Sequence, residues 1–336
     1  MSDQRNDIAA QYSALHERAI VVDRSSRGRM RFTGAKAGEV LTGLVTNDVL
    51  SLKPGHGLYA AALTPKGRII ADPRIFAGDG WYIADVAERA HAGWNALIQK
   101  FVNPRLAKYA DESADTAAVG VFGARATAIL SSAIGTTPAL LEALPMFGHV
   151  AVAAAGHELL VARVPDAGVP GYQIITAAGS RDWLITELTS AGAVKADAAV
   201  LDVARVEAGR PEWGVDMDES TIPQEANFDE LGALSYSKGC YTGQEVVARI
   251  HFRGHVNRHL RGLRAEPGGA PLPSGAKLHG EDGAEVGDVR SSVGSPSLGR
   301  IALGMVRREV PVEGMLVARW DGGETPVHVA SLPFTE

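Results

Sequence analysis

The strongest constraint on this chain is a short pattern that occurs twice. Gly34-Ala35-Lys36-Ala37-x-x-Val40-Leu41 returns as Gly123-Ala124-Arg125-Ala126-x-x-Ile129-Leu130. Each copy is followed by a Gly-aromatic-x-Ile segment, at residues 80–83 and 171–174, and then by a helical stretch with a tryptophan, Trp94 or Trp183. Two copies of a strand–helix–hairpin–helix unit account for roughly residues 20–200. Within the first copy, apolar runs at 28–33, 57–63, 68–76 and 81–86 read as hairpin strands separated by Gly- and Pro-bearing turns. Apolar residues three and four apart predict helices over 35–45 and 86–101. Strand pairs this close together exclude a regular βαβ alternation, so the fold class is α+β.

Past Leu263 the helical periodicity stops. A Gly/Pro-rich opening at 266–275 is followed by short candidate strands at 276–278, 285–290, 300–306, 315–319 and 327–330. Their spacing predicts a small C-terminal antiparallel β-barrel. The expected division is residues 1–255 as two α+β subdomains (about 1–118 and 119–255, with interleaving allowed) and 256–336 as the barrel.

The 33 basic and 39 acidic side chains leave a net charge of −6, so no global field attracts nucleic acid, and direct nucleic-acid binding is not expected. A single cysteine forms no internal disulfide and points to a reducing compartment. The polar N-terminus carries no secretory h-region, and no apolar run is long enough for a bilayer. The expectation is a cytoplasmic protein without a membrane role.

That cysteine lies in Lys238-Gly239-Cys240-Tyr241-Thr242-Gly243-Gln244-Glu245. Thr242 and Glu245, before an apolar run, predict a capping box and a helix start. Cys240 then sits outside a positive helix end with Lys238 nearby, both of which favour thiolate. The competing reading is a small buried hydrophobe. Five arginines and three histidines crowd residues 249–264, a local anion-seeking patch or else a solvated strand pair. His251, His255 and His259 recur every four residues, but Gly254 argues against one continuous helix, so no metal site is expected. One cysteine does not hold a stable cluster by itself.

The cysteine segment resembles the K-G-C-[YF]-x-G-Q-E signature of the YgfZ family of folate-binding proteins, relatives of the glycine-cleavage T-protein (aminomethyltransferase). Further resemblances are Asp23-Arg24-Ser25-Ser26-Arg27-Gly28, Thr46-Asn47-Asp48-Val49, Arg205-Val206-Glu207-Ala208-Gly209 and Gly304-Met305-Val306. The resemblance implies a three-part ring of two ferredoxin-like, folate-cradling α+β domains and a barrel, with tetrahydrofolate or a derivative bound in a central cavity. It implies that Glu207 grips the pterin edge. Without the resemblance, Glu207 reads as a surface ion pair with Arg205 or Arg210. Asp72 matches the second aspartate of the T-protein G-G-I-I-D-D, with Ala71 and Arg68 as departures; its other reading is a turn cap before Pro73. Tyr59 matches a folate-lining tyrosine, or is a core aromatic, and Asp85 replaces an asparagine. Arg249 and Arg258, in the basic stretch, are candidates for the anionic folate tail.

The leading expectation is a folate-dependent accessory factor for assembly or repair of iron–sulfur proteins. Asp72 and a reactive Cys240 near the folate are its catalytic candidates, and it acts as a monomer making transient contacts with client or assembly proteins. The alternatives are a tetrahydrofolate-dependent aminomethyltransferase or demethylase, and a folate-binding scaffold without chemistry.

Overall fold

A computed structural model describes residues 2–266 and 272–334; residues 267–271 of the expected barrel opening (266–275) and the final residues 335–336 lie outside the described residues. After α1 (Ser2–Glu17) and β1 (Ile20–Asp23), the first copy runs β2 (Gly28–Thr33), α2 (Ala37–Leu44), β3 (His56–Tyr59), β4 (Ala62–Leu63), β5 (Ile69–Ala71), β6 (Arg74–Ala77), β7 (Trp81–Val86), α3 (Glu88–Phe101) and β8 (Lys108–Asp111). The second runs β9 (Thr116–Phe122), α4 (Ala126–Ile134), α5 (Pro138–Glu142), β10 (His149–Ala154), β11 (His157–Arg163), β12 (Gly171–Ala177), α6 (Arg181–Ser190) and β13 (Val194–Lys195). Helices α7 (Ala198–Glu207) and α8 (Gln244–Arg253) lead into β14 (Arg258–Ala265), β15 (Lys277–His279), β16 (Glu285–Ser295), β17 (Gly299–Arg307), β18 (Met315–Trp320) and β19 (Gly323–Ala330).

The sequence repeat is a structural repeat. One sheet has the order β3-β6-β7-β2-β8 and the other β10-β11-β12-β9-β1-β13, so four strands of each copy occupy corresponding places and β1 stands where β8 does. The residues before α2 and α4, Lys36 (φ −109°, ψ 10°) and Arg125 (φ −110°, ψ 15°), share one conformation. The helices that follow each hairpin turn their tryptophan-bearing face to a core, with Trp94 fully buried and Trp183 packed against the second core.

The subdomains interleave. β1, near the start of the chain, pairs with β9 and β13 in the second sheet. The expected boundary at 118 falls inside β9, which pairs with β12 along its whole length, Thr116 to Phe122. A strand so paired is one unit, and the sheets part between Asp111 and Thr116.

Two long strands expected in the first copy are each broken. Residues 57–63 divide into β3 and β4, and 68–76 into β5 and β6, because the hairpin bends away from the main sheet into a separate ribbon. Pro73, which has no N–H to continue the ladder, marks the bend on one strand. Ala60 N–H donates to the Pro73 carbonyl there, at 3.1 Å. The last strands close as a barrel, β14-β17-β16-β15-β18-β19. Buried Arg205 on α7 ties the barrel to the rest, donating to Asp216 Oδ2 and Ser291 Oγ at 2.8 Å each.

Candidate functional site

The hairpin bend positions the site. Tyr59 ends β3 and Asp72 directly precedes Pro73, so the two side chains meet across the bend, with Tyr59 Oη donating to Asp72 Oδ2 at 3.0 Å. Across the sheet, Tyr59 pairs with Arg74, Arg74 with Asp85, and Asp85 with Arg29. Directly paired residues share a face, so this row projects its charged groups together toward the second sheet. From the other side, β12 brings Gln173, whose Nε2 donates to Asp85 Oδ2 at 2.5 Å. Asp166, in the β11–β12 connection, pairs with Arg74 at 2.8 Å and with Arg24. Arg27 pairs with Asp85.

These groups surround a cavity of about 300 Å³ lined by residues of both sheets, among them Arg24, Arg27, Tyr59, Asp72, Arg74, Phe147, Asp166, Leu201 and Arg210. Phe147 stacks on Tyr59 at a centroid separation of 6.1 Å and 19° between planes, and Phe228 packs on Tyr59 at 5.1 Å. Phe147 itself holds φ 61°, a conformation that is unusual for a bulky side chain. Its amide donates to the Arg163 carbonyl at 2.9 Å.

Burial and charge act oppositely on the acids here. Burial raises the Asp72 carboxyl to about 6, against the pull of Arg27, the Tyr59 hydroxyl and Arg74. Its second oxygen, Oδ1, is buried without a hydrogen-bond partner. For Asp166 burial is outweighed by Arg74 and Arg24, which hold it well below the carboxylate range. Asp85 is likewise lowered, burial being overcome chiefly by Arg27 and Arg74. Burial, with Asp72 adding to it, pushes the Tyr59 hydroxyl far up, so it stays a donor. The result is one carboxylate of tunable protonation among permanently charged neighbours.

Of the residues singled out from sequence, Tyr59 and Asp72 line this cavity, and Asp85 lies just behind it, fully buried. Glu207 does not reach it. Its Oε1 accepts from Tyr12 Oη at 2.9 Å and Ser295 Oγ at 2.5 Å, between α1 and the barrel. The reason is helical phase: Leu201 and Arg205, one turn apart on α7, face the cavity, and Glu207 is rotated by about 200° from Arg205. Glu207 instead lines a neighbouring cavity of about 710 Å³.

Cys240, expected near the site, is exposed and does not line this cavity. Its loop is anchored elsewhere. Lys238 Nζ donates to the Thr42 carbonyl and, at 2.7 Å, to the Val45 carbonyl at the end of α2. Burial lowers this amine to about 8. Tyr241 is buried beneath it, and Gly239 is open. The expected capping box does not form: α8 starts at Gln244 behind Gly243, at φ +83°. A Cβ on Gly243 would lie 2.7 Å from the Thr64 carbonyl oxygen, so the close approach of two turns decides that residue. Gln244 Oε1 accepts weakly from Tyr241 N–H, at 3.4 Å, and Glu245 pairs with Arg249 on the exposed face of α8. Arg249 and Arg258 are therefore not cavity residues either; Arg258 is engaged by buried Glu225 at 3.0 Å. His251 lies on α8, His259 on β14 and His255 between them, so the three do not share a face.

Sequence reading missed Arg24, Arg27, Arg74, Asp166, Gln173 and Arg210. Arg24 and Arg27 lie in a segment whose family likeness was visible, but nothing local assigned them a role.

The family model of the GCVT N-terminal domain matches residues 2–234, and that of the glycine cleavage T-protein C-terminal barrel domain matches 258–336. An aminomethyltransferase of Thermosynechococcus vestitus is 30% identical over 98% of this chain and 88% of its own length. One of Ralstonia pickettii is 29% identical over 96% and 88%. The crystal structure of glycine cleavage system aminomethyltransferase T from Bartonella henselae superposes with a TM-score of 0.86 at 22% identity, covering 98% of this chain and 90% of that one.

Proposed function

This chain belongs to the glycine-cleavage T-protein family, and on that premise we propose that it binds tetrahydrofolate between Tyr59 and Asp72 and acts as a folate-dependent one-carbon transferase of the aminomethyltransferase type. The observation that carries this reading is Asp72 Oδ1, a buried acceptor without a partner, on a carboxyl raised to about 6 at the wall of an aromatic-lined cavity. The cavity of about 300 Å³ suits a small-molecule ligand. The donor set also fits a reduced pterin, which offers N–H groups to a carboxylate and a flat face to Tyr59 and Phe147.

When bound, tetrahydrofolate supplies an amine nitrogen that accepts the one-carbon unit. The chain's own contribution is to hold and move a proton. Asp72, with a pKa near the working pH, takes a proton at Oδ1 and returns it without a large energetic penalty. The Tyr59 hydroxyl occupies Oδ2 and leaves Oδ1 as the oxygen without a partner. Arg27 and Arg74 keep the acid ionisable despite its burial. The position where T-proteins carry the first aspartate of G-G-I-I-D-D is Ala71, which is fully buried in the first core. A single carboxylate therefore carries the proton.

Tetrahydrofolate raises the melting temperature, and purified protein forms methylene-tetrahydrofolate from an aminomethyl donor. Asp72→Asn retains the thermal shift and loses turnover. Absence of both shift and turnover in the wild type overturns the proposal.

A second reading is favoured by the exposure of Cys240. The thiol is open to a partner protein rather than to the ring, so an accessory role toward iron–sulfur proteins runs through a surface contact. Cys240→Ser then abolishes rescue of cluster-enzyme activity in depleted cells while leaving folate binding intact; full rescue by that variant removes this reading.

A further inference from the structure

We infer that Arg210 forms a carboxylate-binding subsite at the junction of the two cavities, so that the ligand of this site carries a carboxylate held there. The inference rests on the cavity being the ligand site and adds the chemistry of a second contact.

Arg210 lines both the 300 Å³ cavity and the 710 Å³ cavity beside it. Its backbone is pinned on both sides. Its N–H donates to the Arg205 carbonyl at 2.8 Å, and its own carbonyl accepts from Arg205 Nη1 at 3.2 Å. The preceding Gly209 takes φ +65° in a turn where a Cβ would lie 2.8 Å from the Leu332 side chain. The guanidinium at the end of this rigid mount makes no hydrogen bond and no ion pair among the described residues. Its neighbours in the electrostatic sense are Asp166 and Tyr59, which favour its charge, and Arg74, which opposes it.

The other arginines of the inner cavity are already engaged: Arg24 and Arg74 share Asp166, and Arg27 holds Asp85. Arg89 donates to the Gly214 carbonyl and Arg205 pairs with Asp202, Glu212 and Asp216, which leaves the Arg210 guanidinium without a partner among the described residues. A partly buried guanidinium without a partner is completed by a planar anion, which it meets with two parallel N–H donors. Asp72 and Tyr59 receive the neutral, N–H-bearing part of a ligand, and Arg210 its anionic part.

Two sources supply such a carboxylate: the glutamyl tail of the folate, or a small carboxylate-bearing amine that donates the one-carbon unit. Calorimetric titration of the wild type and Arg210→Gln separates them, using tetrahydrofolate, tetrahydropteroate (the same ring without glutamate), p-aminobenzoylglutamate and N-methylglycine. If the tail is the anion, Arg210→Gln weakens tetrahydrofolate and p-aminobenzoylglutamate at least tenfold and leaves tetrahydropteroate unchanged. If the small substrate is the anion, tetrahydrofolate is unchanged and N-methylglycine loses at least tenfold. Arg210→Lys, which keeps a charge but not the fork, recovers part of either loss, and matching melting temperatures exclude a folding defect. Affinities within twofold of the wild type for every carboxylate overturn the subsite, as does a wild type that binds none of them. A wild type that binds p-aminobenzoylglutamate or N-methylglycine but no pterin overturns the folate reading and leaves the subsite standing.

Discussion

Replacing Asp72 with asparagine should make the protein more stable while removing its chemistry. A carboxyl with a higher pKa in the folded than in the unfolded chain binds its proton more tightly when folded. Its contribution to folding is therefore full below its ordinary value of 3.8 and is lost as the pH rises through about 6. The difference of about two pH units corresponds to roughly 3 kcal/mol at 1.36 kcal/mol per unit. Asparagine preserves the shape and the hydrogen-bonding capacity toward Tyr59 and never ionises. Urea unfolding followed by far-ultraviolet circular dichroism reads this directly. At pH 8 Asp72→Asn should exceed the wild type by about 3 kcal/mol, and near pH 4 the advantage should shrink to a small fraction of that. An advantage that is absent at pH 8, or constant across the pH range, refutes the reasoning. In the first case Arg27 and Arg74 stabilise the ionised carboxylate enough to offset its burial. In the second, packing rather than ionisation separates the two proteins.

His149, wedged between Phe76 and Trp81 with Nδ1 buried and unpartnered, is pushed down to about 4 by burial, with His56 adding to the effect. Its stabilising neutral form is complete above the ordinary 6.5, and stability falls as the pH drops from there through 4, by about 3 kcal/mol in full. His149→Leu should flatten that part of the stability–pH curve, and an unchanged slope counts against the assignment. Gly243→Ala should cost at least about 2 kcal/mol in urea unfolding, from its left-handed conformation and its contact with Thr64; a cost below 0.5 kcal/mol means the turn relaxes freely.

Much of the architecture was legible because it is written locally. The two Gly-Ala-basic-Ala turns predicted two equivalent strand–helix junctions, and Lys36 and Arg125 adopt the same angles. Tyr59 and Asp72 were singled out by their likeness to T-protein residues, and the structure brings the two together across one hairpin bend. Glu207 lies apart from Tyr59 and Asp72, in the neighbouring cavity, because the motif that contains it says which residues form the helix but not which face the fold turns inward. Cys240 lies outside the cavity lining because a signature records that residues occur together, not where a loop is anchored; Lys238 ties that loop to the end of α2.

What the sequence determined by itself, then, was the repeated α+β unit and the terminal barrel, since hydrophobic periodicity and turn residues act over a few neighbours. Only the tertiary structure decided that Arg24, Arg27 and Arg74 meet Asp85, Asp166 and Gln173 around one cavity, leaving Arg210 over. Those partners lie up to 142 residues apart, and strand register, helix rotation and the bend at Pro73 bring them together. Such long-range charge pairing depends on distances that no local pattern encodes.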